Sequence, residues 1–324
     1  MSEFFPIAAA VCAAVLLCSC SKENIFTESF FALDTAVTVT SDRLLTHTVR
    51  EAISDADMTF SKVCGSKRDI LTETDAQRIN FCLDYAEKLN SEYNGKLDMY
   101  CGRLVSLWGI SEDDPKVPSE QEITDTLELL NTLEKAPAVS EKINTDIELG
   151  AAAKGYAADM AKEALDSEAP EGYIILSAES SVLLYGEKAG GFKIGVKDPL
   201  SPENMLGSFT VPCGFVSTSG GYERYFEENG VKYSHILDTE TGYPVNTDLT
   251  SVTVYCELTE NGGLRSDLLS TLIYCEGTER LEEFAQTENI AFIAADKNKN
   301  IYVSGLDFQP QEGSGYVLCR ITDG

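Results

Sequence analysis

One stretch of the chain combines a carboxylate and a hydroxyl at a spacing that suits metal binding. In Arg265-Ser-Asp-Leu-Leu-Ser-Thr271, Asp267 and Thr271 are four residues apart, so on a helix they would share one face. These groups supply hard oxygen ligands, which suit Mg²⁺ because this ion usually binds few protein groups together with substrate phosphates. The spacing alone is equally compatible with Asp267 as a helix cap and Thr271 as an ordinary helical residue.

Small residues and one lysine mark a second candidate site, at Glu148-Leu-Gly-Ala-Ala-Ala-Lys-Gly-Tyr156. The apolar approach from Thr145 to Leu149 predicts a strand that feeds a helix through residues small enough for a ligand or another backbone to come close. Lys154 would lie in the first helical turn, where the helix dipole disfavours a cation unless an anion lies beside it. The alternative is an alanine-rich helix packed on a sheet, with Lys154 in solvent.

Imidazole chemistry can come from few residues, because the chain has two histidines, His47 and His235. This number excludes a multi-histidine metal site. His235 lies in a strand that runs into a turn containing Asp238, and a structural role, with its ring bonded to a backbone carbonyl, is at least as compatible with the sequence as catalysis. The segment Thr218-Ser-Gly-Gly-Tyr-Glu-Arg-Tyr225 places hydroxyls and glycines at a strand end, where backbone N–H groups can bind phosphate.

The overall charge of the chain limits its partners. The 324 residues carry a formal net charge of −28 at pH 7, with a sequence pI of about 4.3. This balance disfavours nucleic acid as a partner, because phosphate binding needs clustered Lys and Arg. An anionic ligand must instead be held by local groups, such as a helix N-terminus, one lysine or a metal ion. The length is sufficient for one large domain or two.

The N-terminus has the pattern of an export signal. Phe4 to Leu17 is nearly all apolar but too short for a comfortable membrane span, and Leu17-Cys-Ser-Cys20 resembles a bacterial lipobox. We expect residues 1–20 to be a lipoprotein signal peptide and Cys20 to carry the lipid, which would anchor residues 21–324 on the extracytoplasmic face of the cell membrane. An uncleaved signal anchor or a buried apolar N-terminus is the alternative.

Periodicity and turn residues predict helices first, strands later and helices again near the end. The predicted helices are 43–58, 75–93, 99–108, 119–133, 266–275 and 279–287, besides one after the small-residue segment. The predicted strands are 30–40, 173–178, 181–185, 192–197, 207–211, 215–218, 222–226, 232–237, 250–256, 291–295, 301–304 and 316–321, with a hairpin turn at Asn229-Gly230. This order predicts an α+β fold with mixed or antiparallel sheets and packed helices. The seven cysteines after Cys20 are odd in number and widely spaced, so most are expected to be small core residues.

Seven motifs, taken in order over about Phe30 to Thr287, resemble those of the FAD:protein FMN transferase family, the ApbE-type flavin transferases. They are Leu33-Asp-Thr35, Gly95-x-x-Asp98 with Leu107-Trp-Gly109, Glu148 to Tyr156, Thr218 to Tyr225, Ser234-His-Ile-Leu-Asp238 with Thr241-Gly-x-Pro244, Ser251-Val-Thr-Val254, and Asp267-x-x-Ser-Thr271. The resemblance implies a fold related to the T-fold. It also implies an enzyme that cleaves FAD with Mg²⁺ and attaches FMN through a phosphoester to a Thr or Ser of an exported acceptor, such as an electron-transfer complex subunit or an FMN-binding domain protein.

The resemblance implies roles for individual residues as well. The metal ligands would be Asp267, Thr271, the backbone carbonyl of Ala151 and, at a position that is sometimes Asp in the family, Ser270. The resemblance also implies a set of residues that would border the flavin nucleotide or line its pocket. They are Leu33, Glu148, Lys154, Trp108, Gly109, Ile110 and Leu237. The base that activates the acceptor hydroxyl could be Asp238, His235 or Glu179.

Three positions depart from the family pattern. Leu33-Asp34 lacks the family's glycine, no aromatic residue stands near Val63 where one stacks on the flavin (Phe60 is the nearest), and Glu179-Ser180 replaces two glycines. We therefore expect retained Mg²⁺-pyrophosphate chemistry with altered flavin stacking. Two alternatives remain, namely a lipoprotein that binds a flavin without transferring it, and a Mg²⁺-dependent FAD pyrophosphatase that gives FMN and AMP.

Overall fold

The structure is a computed structural model, which describes residues 13–15, 25–43, 46–64, 68–95, 97–112, 114–132, 135–168, 171–286 and 290–321. The predicted lipobox and Cys20 lie outside these residues, as does most of the predicted signal peptide. Among the described residues, no helix has both the length and the apolar character needed to cross a membrane.

The order of elements confirms the predicted α+β class. The α-helices of the described residues are α1 (Thr46–Phe60), α2 (Glu73–Tyr93), α3 (Gly102–Trp108), α4 (Glu120–Thr132), α5 (Ala153–Glu168), α6 (Gly262–Glu276) and α7 (Leu281–Ala285), and a 3₁₀ turn spans Thr278–Arg280. The strands are β1 (Ala13–Val15), β2 (Phe26–Ala32), β3 (Thr35–Ser41), β4 (Tyr173–Ala178), β5 (Ser181–Gly186), β6 (Phe192–Lys197), β7 (Met205–Val211), β8 (Gly214–Ser219), β9 (Tyr225–Glu228), β10 (Val231–Ser234), β11 (Leu249–Cys256), β12 (Ala291–Asp296), β13 (Asn300–Ser304), β14 (Gln309–Pro310) and β15 (Val317–Arg320).

Within the described residues, the strands form three sheets. The largest has the order β15-β13-β12-β11-β8-β5-β4-β3-β2 and is antiparallel except for the parallel pair β13–β15. A second, antiparallel sheet has the order β1-β6-β7-β14. Strands β9 and β10 form a separate hairpin, whose turn residues Asn229 and Gly230 have φ of 52° and 78°, as predicted for an Asn-Gly turn.

Alternation along the central strands sorts the apolar residues into separate cores. In β4, Ile174 and Leu176 belong to the core under α1, α2, α5 and α6, whereas Tyr173 and Ile175 belong to the core between the two larger sheets. A third, small core forms around Trp108, where α3 and α4 meet the β9–β10 hairpin. The cleft described below lies where residues of the first and third cores approach each other.

Two glycines allow α5 and α6 to touch. A Cβ atom on Gly155 would lie 2.3 Å from the carbonyl oxygen of Gly263 and 2.6 Å from Cβ of Asp267, and a Cβ on Gly263 would lie 2.3 Å from the carbonyl oxygen of Gly155. Asp159, one turn further along α5, accepts hydrogen bonds from the N–H groups of Gly263 and Leu264 at 2.9 and 2.7 Å, which caps the start of α6. The contact brings Asp267 to the first turn of α5.

Two predicted strands differ from the structure. Residues 30–40 belong to a hairpin of β2 and β3 rather than to one strand, because Leu33 and Asp34 adopt φ of 54° and 55° and form a tight turn. Residues 145–149 form no strand before α5. Their backbone groups pair instead with the segment at the start of α3. The Glu148 N–H donates to the Met99 carbonyl at 2.8 Å and the Gly102 N–H donates to the Asp146 carbonyl at 2.9 Å, and these two bonds do not build a sheet.

Substitution of Gly155 by alanine tests the helix contact. Gly155→Ala should lower the free energy of unfolding by about 3 kcal/mol, because the added methyl group meets backbone that cannot rotate away. The measurement is urea unfolding followed by circular dichroism. Gly150→Ala is the control, since its Cβ would meet only the flexible Glu148 side chain, at 3.2 Å. Equal losses in the two variants would contradict the proposed contact.

Candidate functional site

A cleft of about 210 Å³ lies between the start of α5, one face of α6 and the base of the β9–β10 hairpin. Nine of the predicted site residues line it: Trp108, Ile110, Glu148, Ala151, Lys154, His235, Leu237, Asp267 and Thr271. Leu33, Gly109, Asp238 and Ser270 are not among its described lining residues, although each is next in sequence to one that is. Motifs spread over the whole chain therefore converge on one cleft.

The Asp267 carboxylate is buried and held by donors from two other elements. Its Oδ2 accepts a hydrogen bond from the Gly155 N–H at 2.8 Å, and its Oδ1 accepts one from the Ser181 hydroxyl at 3.1 Å. Burial raises the pKa of this carboxyl group, and the Lys154 charge and the two donors partly offset that rise. Asp267 therefore provides the nearby negative charge that was expected to offset the unfavourable position of Lys154 in the first turn of α5.

Thr271, and not Ser270, is a lining residue of the cleft. Ser219 Oγ lies 2.8 Å from Ser270 Oγ and 3.0 Å from Thr271 Oγ1, which ties both residues of α6 to β8. Ser270 also donates to the Asp267 carbonyl oxygen at 2.8 Å and is fully buried. The Thr271 hydroxyl donates to the same carbonyl oxygen over a longer distance, 3.4 Å, and Thr271 lines the cleft one helical turn after Asp267.

The donor set fits a hard cation whose coordination is completed by substrate. Asp267 can provide a carboxylate, Thr271 a hydroxyl and Ala151 a backbone carbonyl, and all three line the cleft. In the described parts of the chain, no group of three or more His, Cys, Asp or Glu residues could hold a metal ion. Mg²⁺ suits such a sparse set because it commonly keeps positions for water and phosphate oxygens.

Glu148 is oriented by its own segment and by Arg68. Its Oε1 accepts a hydrogen bond from the Gly150 N–H at 3.0 Å, and its Oε2 lies 3.4 Å from Arg68 Nη2. Arg68 also donates to the Ile147 carbonyl oxygen at 2.7 Å, so it ties Glu148 to the chain on both sides. Arg68 was not predicted as a site residue, because it lies in a polar segment without a recognisable pattern.

His235 presents a neutral imidazole to the cleft. Its Nδ1 lies 3.1 Å from the Arg224 carbonyl oxygen, which can only accept, so Nδ1 carries the proton and Nε2 is left with a lone pair. Burial, followed by the charges of Arg224 and Lys154, lowers the pKa of His235 to about 4. The carbonyl contact that the sequence allowed is therefore present and leaves the second nitrogen available for chemistry.

The turn after His235 is closed by Asp238. Its Oδ1 accepts hydrogen bonds from the N–H groups of Glu240 and Thr241 at 2.8 and 3.2 Å. The indole N–H of Trp108 donates to the Gly242 carbonyl oxygen at 2.8 Å and joins α3 to the same turn. Asp238 therefore supports the turn that carries Leu237.

Residues 52–294 match the model of the ApbE family. The chain belongs to this family. A curated relative from Klebsiella pneumoniae, named FAD:protein FMN transferase, is 34% identical over 231 residues, which are 68% of this chain and 70% of that protein. Another with this name, from Vibrio cholerae, is 32% identical over 178 residues, which are 52% of this chain and 53% of that protein. The solved structure of the ApbE protein from Thermotoga maritima superposes with a TM-score of 0.68 at 25% identity, covering 89% of this chain and 97% of that one.

In this member of the ApbE family, the aromatic residues near the cleft are turned into the core. Val63 is fully buried, and Phe60 is buried with its ring edge-on to Tyr156 at 5.4 Å. Trp108 is 0% exposed and packs against the Tyr233 ring at 5.5 Å. None of these three positions presents an open aromatic face, and the expected change in flavin stacking stays a prediction.

Three thiols line the cleft of this ApbE protein, which the sequence did not predict. Cys82 and Cys256 are buried in the core, and Cys64 and Cys213 are partly buried and packed against a core, so most of the seven cysteines after Cys20 pack as expected. Of the seven, Cys64, Cys101 and Cys275 line the cleft. Burial raises the pKa of all three, to about 12 for Cys275, so they stay protonated and are weak nucleophiles.

Two serines complete the site and were not predicted to belong to it. Ser181 on β5 holds Asp267, and Ser219 on β8 holds Thr271. Ser219 lies in the glycine-containing motif at 218–225, so that motif was the available signal. No local pattern marks Ser181, which reaches Asp267 only because β5 pairs with β8 beneath α6.

The pH dependence of stability tests the surroundings of His235. Folded His235 has a pKa of about 4 and an ordinary histidine 6.5, so the unfolded chain binds this proton first as the pH falls. Neutral His235 therefore makes its whole contribution to the free energy of unfolding above pH 6.5. This contribution decreases as the pH falls toward 4, by at most about 3 kcal/mol. Urea unfolding gives the free energy of unfolding near pH 7 and near pH 4.5. Its decrease between these two pH values should be smaller for His235→Asn than for the wild type. Equal decreases would rule out the lowered pKa.

Proposed function

We propose that this protein is a Mg²⁺-dependent FAD:protein FMN transferase, which cleaves FAD, releases AMP and attaches FMN through a phosphoester to a Thr or Ser of an exported acceptor protein. The observation that carries the proposal is the convergence of Asp267, Thr271, Lys154 and His235 on one cleft in a chain of the ApbE family. Transfer of FMN from FAD to protein is the activity named for the curated relatives of this chain.

Binding of the FAD pyrophosphate depends on local positive charge, because the chain as a whole carries a net charge of −28. Lys154 and Arg224 are the Lys and Arg residues among the described lining of the cleft. Both can approach phosphate oxygens directly. Bound at Asp267 and Thr271, Mg²⁺ would offset the remaining pyrophosphate charge and the charge that develops on the departing AMP.

His235 is the group best suited to take the proton of the acceptor hydroxyl. Its Nε2 is free to accept, and the lowered pKa keeps the ring neutral at neutral pH. The acceptor oxygen forms a bond to the FMN-side phosphorus, the bond between that phosphorus and the bridging oxygen breaks, and AMP leaves with the bridging oxygen. Asp238 is less suited because its carboxylate closes a turn, and Glu179 is less suited because it faces Arg224.

The location and the acceptor class of the proposal follow from the N-terminal sequence. A signal peptide at residues 1–20 and a lipid on Cys20 would hold the cleft at the extracytoplasmic face of the cell membrane. Acceptors within reach there would be an electron-transfer complex subunit or an FMN-binding domain protein. Nucleic acid is not proposed as a partner, because the acidic balance of the chain opposes phosphate backbones.

The metal assignment can be tested with two adjacent hydroxyl residues. Thr271→Ala should raise the Mg²⁺ concentration needed for half-maximal FAD cleavage about tenfold. This is the scale on which the metal affinity of a site responds to the loss of a supporting group. Ser270→Ala is the matched control and should leave the Mg²⁺ requirement nearly unchanged, because Ser270 makes the same two hydrogen bonds as Thr271 but does not line the cleft. A Mg²⁺ titration of AMP release measures both. Equal weakening would contradict the assignment of Thr271.

Intact-protein mass spectrometry tests the function itself. An acceptor that carries an Asp-Gly-Ala-Thr-type segment is incubated with this protein, FAD and Mg²⁺, and its mass should increase by that of FMN minus water. Asp267→Ala should abolish the increase, and circular dichroism checks that this variant is folded. Release of AMP without a mass increase would favour the FAD pyrophosphatase. Flavin binding without AMP release or mass increase, across a panel of acceptors, would favour the flavin-binding lipoprotein.

A further inference from the structure

The turn between β4 and β5 contains a residue in an unfavourable conformation. Glu179 adopts φ of 55°, a region in which glycine is favoured over residues with side chains. Its side chain is 5% exposed, so a carboxylate is also removed from water there. Both features cost stability, and strained residues that persist beside a cleft are a reason to look for a function.

Arg224 is the charged group that faces Glu179. Glu179 Oε2 lies 3.9 Å from Arg224 Nη2. This separation attracts the guanidinium without a direct hydrogen bond, so the N–H groups of Nη2 are not consumed by Glu179. The Arg224 side chain is 35% exposed and lines the cleft, whereas Glu179 is not among the described lining residues. Glu179 therefore lies behind Arg224 as seen from the cleft.

The supports on both sides of this pair are rigid. The Ser180 carbonyl accepts a hydrogen bond from the Thr218 N–H at 2.8 Å, which joins the β4–β5 turn to β8. The Arg224 carbonyl accepts hydrogen bonds from the N–H and the Nδ1 of His235, each at 3.1 Å. His235 thus holds the main chain of Arg224, and the Glu179 carboxylate is the charged group that lies within 4 Å of its guanidinium among the described residues.

We propose that Glu179 is a positioning residue that holds the Arg224 guanidinium toward the cleft, where this cation binds the phosphate groups of the flavin nucleotide. An arginine that is already oriented loses less side-chain freedom when it binds phosphate, and its planar donors suit phosphate oxygens. The identity of the nucleotide rests on the proposed function. The orientation of Arg224 does not, because the same geometry would serve any ligand with a pyrophosphate group.

A double-mutant cycle on FAD affinity tests the proposal. The dissociation constant of FAD, followed by flavin fluorescence with Mg²⁺ present, is measured for the wild type, Glu179→Gln, Arg224→Gln and the double variant. Each single substitution should raise it about tenfold, the scale of a hydrogen bond to a charged group. The double variant should bind no more weakly than Arg224→Gln, because Glu179 acts through Arg224. Unchanged affinity in Glu179→Gln, or additive losses in the double variant, would overturn the proposal.

Glycine substitutions separate positioning from a purely structural role. Glu141 is a matched control, because it is a glutamate with φ of 60° that is exposed and does not line the cleft. Glu141→Gly and Glu179→Gly both relieve an unfavourable backbone, so neither should lower the unfolding temperature. Only Glu179→Gly should weaken FAD binding. A lower unfolding temperature with unchanged FAD affinity in Glu179→Gly would show a structural role alone and overturn the proposal.

The binding experiment and the transfer experiment can fail separately. If FAD affinity follows the expected cycle but no acceptor gains mass, the positioning role stands and the transferase proposal fails. If an acceptor is flavinylated but FAD affinity is insensitive to Glu179→Gln, the transferase proposal stands and Glu179 has no positioning role.

Discussion

The hydrogen bond from the Gly155 N–H to the buried Asp267 carboxylate depends on two helices that touch, and the rest of the site depends on that contact. A carboxylate removed from water is tolerated only when donors and charge surround it. Here the donors come from the start of α5 and from Ser181 on β5, and the charge comes from Lys154. Because a side chain on Gly155 or Gly263 would separate the helices, the small residues of the central motif are a requirement of the proposed metal site as well as of packing.

Each of the three cations at or beside the cleft is accompanied by an acidic group, and such pairs would allow a strongly acidic protein to bind an anion there. Lys154 lies near Asp267, Arg68 pairs with Glu148, and Arg224 faces Glu179. These carboxylates attract the cations, while the net charge of −28 opposes the binding of polyanions. Affinity for one pyrophosphate-bearing ligand and exclusion of nucleic acid are therefore compatible on the same surface.

The comparison of sequence and structure shows where local patterns suffice. The Asn229-Gly230 turn and the helices with a clear apolar face were predicted because their determinants lie within a few residues of each other. The turn of the β2–β3 hairpin was predicted only as a tight feature at Leu33-Asp34-Thr35 within one strand, because leucine and aspartate are uncommon at positive φ. The strand expected at 145–149 is absent because apolar residues indicate burial, but only a pairing partner makes a strand.

By itself the sequence determined the α+β class, the order of the elements, the acidic character and the four-residue spacing of Asp267 and Thr271, since each is a property of composition or local periodicity. Only the tertiary structure decided that Thr271 and not Ser270 lines the cleft, that burial lowers the pKa of His235, and that Ser181, Ser219 and Arg68 contact residues of the cleft. These outcomes depend on burial and on contacts between strands and helices far apart in the chain. Such contacts set which atoms lose water and which donors replace it, and no short stretch of sequence carries that information.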